Sequence, residues 1–342
     1  MSNNLARNRL LRWVAAAVLA ALALLAGIAA YLQQSLGEPK PLQSLRVAAP
    51  RVSATALHFI ALARGFFIAE GLDVLSLDAS TGKVAIDMAI DGKADIGLGS
   101  DSPFVIAAML GQPIELLTSM SVSSGAVQIV TRADGAIQAP RDLVGQRVGY
   151  PGTTASDYFL WAYLIRQSID PKQAKGVSLP PPELVQQLVE GKVDAVAIWQ
   201  PFIEMAHKQL GANFRAFQAA EIYQINTFAA ARPELARKRP EVVQAYIRAL
   251  VKASQFAEAR ADEAIAITAR EVKMSPEQMR AEWNNVQLKV QLTQAQLITL
   301  EDMAQWANER SLTSAGPGFR WLGHINLGPM LAVAPAAVTI IH

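Results

Sequence analysis

The chain contains no cysteine. That absence excludes disulfides, thiolate metal sites, cysteine nucleophiles and lipid attachment through an N-terminal cysteine. Histidine is scarce too, and the four present (His58, His207, His324, His342) have no metal-ligand spacing, so neither a metal nor a cofactor is expected. Charge of one sign is not in excess: 31 basic and 29 acidic side chains, formal net charge +2, are spread along the sequence, which leaves no footprint for nucleic acid.

What is present is ample apolar material. At 342 residues and 51% hydrophobic content the chain is long enough for two compact domains with their own cores. Arg7, Arg9 and Arg12 precede residues 13–32, a run of 20 residues without a charge, about 30 Å long as a helix. It suits either an uncleaved membrane anchor or a signal peptide, with Gly27, Ala29 and Ala30 as small residues that permit cleavage. The arginines place residues 1–12 in the cytoplasm and everything after about Gln33 outside it. Residues 37–41, with two prolines, read as a tether.

Beyond the tether the chain repeats itself. GKADIGLGSDSPF at 92–104 returns as GKVDAVAIWQPF at 191–202, and RVAAP at 46–50 returns as RVGYP at 147–151. The offsets, 99 residues from Gly92 to Gly191 and 101 from Arg46 to Arg147, are nearly one frame. A duplicated α/β unit follows, each copy holding a strand, a loop, a helix and a GKxD strand with a polar exit loop. Strand, helix, strand in that order predicts parallel crossovers, and ligands of such sheets collect beyond the carboxyl ends of the strands. The domain expectation is residues 1–43 as N-terminus, apolar helix and tether, 44–128 with 228–310 as lobe 1, and 129–227 as lobe 2. The crossings fall at 128–131 and within 222–231, the helices after Pro240 act as braces, and 311–342 form a tail without a clear place.

The strand-end loops supply the candidate ligand residues. In lobe 1 these are Arg51, Ser53 and Thr55 after the first strand, and Ser100, Asp101 and Ser102 after the GKxD strand. Ser102 equally suits a cap for a helix starting at Pro103, and Asp101 suits a ligand amine, a pair with Arg51, or water. In lobe 2, Thr153, Thr154 and Ala155 stand at a helix N-terminus that suits an anion without a lysine, or a plain N-cap. Trp199 and Gln200 occupy the place of Ser100 and Asp101, where the ring packs a ligand or lids the core. Asn226 sits near the return crossing, and His58 reads as a packed helix residue.

GFFIAEGLDVLSL (65–77), GKADIGLGS, DLVGQRVGYPGTTA (142–155) and GKVDAVAIWQPF together resemble the periplasmic substrate-binding proteins of ABC importers for aliphatic sulfonates, taurine and nitrate, over residues 45–310. The resemblance implies a two-lobed type II periplasmic binding protein fold with two crossing strands. It also implies a small anionic or zwitterionic solute held between residues 100–102, 153–156 and Trp199, with an ABC permease and its ATPase as partners. Enzymes on the same fold, the thiamine-pyrimidine synthases and carbon-sulfur desulfinases, rely on cysteines that this chain lacks, so a non-enzyme is expected. A membrane-tethered sensor or accessory protein is the alternative.

Overall fold

A computed structural model describes residues 13, 18–27, 41–313, 315–316 and 318–341. The chain divides into two compact units, Met1–Leu42 and Gln43–His342. In the first, residues 18–27 are helical and their leucines are exposed; much of the expected 13–32 span lies outside the described residues. Among the described residues no helix is long and apolar enough to cross a membrane.

The second unit is built on two sheets. Eleven strands are described: β1 (Gln43–Pro50), β2 (Leu72–Ala79), β3 (Ile96–Ser100), β4 (Glu115–Ser124), β5 (Val127–Arg132), β6 (Arg147–Tyr150), β7 (Lys175–Ser178), β8 (Ala195–Trp199), β9 (Phe214–Phe217), β10 (Gln224–Ala231) and β11 (Val286–Gln287). The lobe 1 sheet has the order β11-β4-β10-β3-β1-β2, and the lobe 2 sheet β7-β6-β8-β5-β9. β1 runs parallel to β2 and β3, and β6 parallel to β7 and β8, as the crossover pattern predicts. This is the two-lobed α/β architecture expected from the repeat.

The repeated strings now have a physical meaning. Asp95 of the first GKxD accepts from the Arg46 amide at 2.8 Å and from its guanidinium at 2.8 Å; Asp194 does the same for Arg147 at 2.9 and 2.7 Å. Each Asp therefore ties the GKxD turn to the arginine of the neighbouring RVxxP string and sets their register. A third echo, missed in sequence, completes the unit. Arg232 after β10 donates to Ala89 O at 3.1 Å, and Arg132 at the end of β5 donates to Leu188 O at 2.7 Å, each closing the helix that precedes a GKxD turn. β10 lies antiparallel to β3 just as β5 lies antiparallel to β8.

The crossings sit earlier than expected. β5, including Val127 and Gln128, is wholly in the second sheet, so the first crossing is Gly125-Ala126. β10, including residues 224–227, is wholly in the first, so the second is residues 218–223. Alternation of apolar residues cannot place a crossing, because both flanking strands are buried. The tail belongs to lobe 1: Trp321 and Met330 are in its core, Ile325 bridges Leu116, and Val338 bridges Leu292. The lobes meet through the helix Ala155–Arg166, whose Tyr158 packs edge-on against Tyr223 and Trp306, with Asp157 3.3 Å from Arg310.

Gly92 and Gly191 both hold positive φ, +75° and +72°. A β-carbon on Gly92 would stand 2.4 Å from the Arg232 guanidinium, whereas the nearest atom at Gly191 is 3.7 Å away. Gly191→Ala is therefore expected to lose about 1 kcal/mol, the left-handed cost alone, and Gly92→Ala about 2–3 kcal/mol with the overlap added. Denaturant midpoints of the two variants check the order.

Candidate functional site

A cavity of about 360 Å³ lies between the sheets and draws residues from both lobes. Its lobe 1 wall comes from strand ends. Pro50 ends β1 and Val52 to Thr55 come after it, Ser80 to Lys83 follow β2, and Gly99 and Ser100 end β3. Lobe 2 supplies Thr154 and Ala155 at the N-terminus of the helix Ala155–Arg166, then Trp199, Gln200, Ile203 and Glu204 after β8. These are the carboxyl ends of the parallel strands, where helix N-termini turn free N–H groups outward.

Seven of the twelve residues selected from sequence line this cavity: Ser53, Thr55, Ser100, Thr154, Ala155, Trp199 and Gln200. The Thr55 hydroxyl is engaged, donating to Pro50 O at 2.7 Å. Thr154 is also the helix cap, its hydroxyl accepting from the Ser156 amide at 3.3 Å. Trp199 is half-buried, edge-on to Phe202 at 5.9 Å between centroids, and is both cavity wall and core contact.

Five lie elsewhere. Arg51 turns away to Asp78 at 2.8 Å and Glu271 at 3.2 Å, so it pairs neither with ligand nor with Asp101. Thr153, with φ +58°, donates its hydroxyl to Gly152 O, and its amide is held by Asp157 at 2.9 Å. Ser102 is buried inside a helix that begins at Asp101, two residues before Pro103, so it is not the cap. Asp101 is fully buried and accepts from the Tyr223 hydroxyl, the Asn226 amide at 3.0 Å and the Asn226 side chain at 3.1 Å. Gln296 in turn donates to Asn226 at 3.1 Å. Asp101 and Asn226 thus anchor the second crossing instead of facing the cavity. His58 is a core residue, 2.9 Å from the Ser76 hydroxyl, its pKa pushed down to about 3 by burial.

Two walls escaped the sequence reading. The loop Ser80 to Lys83 follows the same strand-end rule as the others, and that rule applied to β2 would have found it. The second is the helix Pro276–Trp283, read as a brace: Gln278, Ala281 and Glu282 line the cavity, with Asn285 and Val286 beyond it. Its Ser275/Gln278 capping box marks where the helix starts but not which face meets a ligand. Burial raises the Glu282 pKa, with a hydrogen bond from Ser53 opposing.

The sequence model of one family, described as NMT1/THI5 like, matches residues 53–264, which include the strand-end loops of both lobes apart from residues 50–52. The chain belongs to that family. The chain is 28% identical over 171 residues to the taurine-binding periplasmic protein of Escherichia coli (strain K12), a match covering 48% of this chain. It spans about half of that relative, 51% of its length. In fold it is similar to the alkanesulfonate-binding protein SsuA from Xanthomonas axonopodis pv. citri bound to MOPS. The TM-score is 0.72 at 17% identity, covering 84% of this chain and 99% of that one. It is also similar to the desulfurization enzyme DSZB, with TM-score 0.61 at 16% identity and coverages of 86% and 99%. The fold therefore carries both binding and catalysis, and the site must decide between them.

Burial raises the Asp101 pKa from 3.8 to about 6, against the opposing hydrogen bonds from Tyr223, Asn226 and Ser102. The folded state then holds a proton that the unfolded chain has released, so this residue's contribution is complete below pH 3.8 and falls as pH rises to about 6. Asp101→Asn removes that slope. Relative to the variant, wild type is expected to lose about 2–3 kcal/mol between pH 4 and pH 7, measured by urea unfolding at both values.

Proposed function

We propose that the protein is the solute-binding component of an ABC importer, acting outside the cytoplasm, with residues 13–32 as its signal or anchor. It captures a small anionic or zwitterionic solute and delivers it to a membrane permease driven by an ATPase. The observation that carries this reading is the cavity itself, walled by strand-end loops of two sheets joined only at residues 125–126 and 218–223 among the described strands. Such lobes can swing about the crossings, and a solute touching both walls favours the closed form by its extra contacts there. Moving a two-state equilibrium from 1:99 to 99:1 takes about 5.5 kcal/mol, within reach of several hydrogen bonds in a dry cleft.

The lining supports binding without chemistry. Its residues include no histidine, cysteine or tyrosine, and its ionisable groups are Lys83, Glu204 and Glu282. Lys83 is held by Asp87 at 2.6 Å, and Glu204 by Lys208 at 3.5 Å, so neither is poised for proton transfer. The Ser100 and Thr154 loops, one from each lobe, suit the oxygens of a sulfonate or carboxylate, and Trp199 suits its carbon chain.

Thermal unfolding against taurine, alkanesulfonates, nitrate and pyrimidines tests the reading. A true ligand at 100 times its dissociation constant adds about 2.7 kcal/mol of stability; no shift with any of them removes the binding role. Trp199→Ala is expected to weaken that ligand about tenfold or more while leaving the ligand-free midpoint within about 1 kcal/mol. Unchanged affinity would make Trp199 a core residue only.

A further inference from the structure

The charges of the cavity do not match a simple anion. Its one lysine and one of its two glutamates are already paired within their own helices. The remaining charged residue is Glu282, which takes part in no ion pair among the described residues and whose Oε1 is buried with no hydrogen-bond partner. Arg51, the cation expected at the site, is committed to Asp78 and Glu271. A carboxylate in this position repels nitrate or a plain sulfonate, and its buried oxygen lacks a donor.

The lining holds a second unpartnered group. Ser123 of β4, only 2% exposed, lines the cavity, and its hydroxyl finds no partner among the described residues. Ser123 is paired in register with Val286 of β11, which follows the helix that carries Glu282. Ser53 reaches Glu282 from the β1 exit loop, and Gln278 stands one turn earlier on the same helix. A carboxylate, a hydroxyl with free lone pairs and an amide, all carried by lobe 1, therefore line the cavity. Together they form an acceptor set for a group with several N–H donors.

We propose that Glu282, with Ser123, binds a protonated amine of the solute, so that the ligand is a zwitterion whose acidic end faces the Ser100 and Thr154 loops. This rests on the solute-binding reading and narrows it. The ammonium supplies the donors that Glu282 and Ser123 lack, and its charge offsets the buried carboxylate. Amine-free anions are then disfavoured by the same residue that selects the zwitterion.

Calorimetric titration of the intact chain with matched pairs tests this: taurine against ethanesulfonate, and β-alanine against propanoate. The amine-bearing member of at least one pair is expected to bind about tenfold or more tightly. In Glu282→Gln, which removes the charge at nearly constant shape, that preference is expected to vanish, while Glu282→Asp keeps part of it; ligand-free melting curves establish that both variants fold. Preference for the amine-free member in wild type, or an amine preference that survives in Glu282→Gln, overturns the assignment and leaves the solute-binding reading intact. Absence of binding by every member of both pairs, with a thermal shift from some other solute, overturns the assignment alone. Absence of any shift as well overturns both.

Discussion

The architecture depends on one interaction made twice, the clamp of a GKxD aspartate on an arginine of the neighbouring strand. In each lobe the carboxylate takes both the backbone amide and the guanidinium of that arginine, at 2.8 and 2.8 Å for Arg46 and 2.9 and 2.7 Å for Arg147. Half-exposed ion pairs contribute little by attraction alone. Their value here is geometric: a bidentate contact that includes the backbone permits one register, and a one-residue slip would break it. With β1 set against β3 and β6 against β8, their exit loops come out side by side and become the walls of one cavity.

A second constraint governs how the lobes are joined. Each sheet sets an antiparallel strand beside its GKxD strand, β10 in lobe 1 and β5 in lobe 2, with an arginine at or just past its end that closes a helix. Asp101, with Tyr223 and Asn226, then fixes where the chain re-enters lobe 1. A buried carboxylate with this many donors is a strong positional anchor, and it stands directly behind the Ser100 wall. Cavity and hinge are therefore adjacent along the chain but chemically separate, which lets the lining vary without disturbing the crossing.

The shared and unshared positions of the repeat have different places in the structure. The aspartate clamps build the lobes, while the positions where the copies disagree face the cavity: Ser100 on one side, Trp199 and Gln200 on the other. The helix Pro276–Trp283 adds a wall that has no counterpart in the duplication, and it carries Glu282, whose Oε1 has no partner among the described residues.

What the sequence determined by itself was local or repeated. The strand, helix, strand order, the turns at Gly92 and Gly191 and the exit loops after β1, β3, β6 and β8 all follow from residue type and spacing within about ten positions. The duplication then placed those loops together, and seven of twelve candidate residues reached the cavity. Only the tertiary structure decided the rest, because partners there are distant in sequence. Arg51 is taken by Glu271, 220 positions away, and Asp101 by Tyr223, 122 positions away. Glu282 faces the cavity because β11 pairs with β4, a register that no spacing rule in a short helical segment contains. Whether a polar side chain meets a ligand or a neighbour is settled by desolvation and competing partners, and those exist only once the chain has folded.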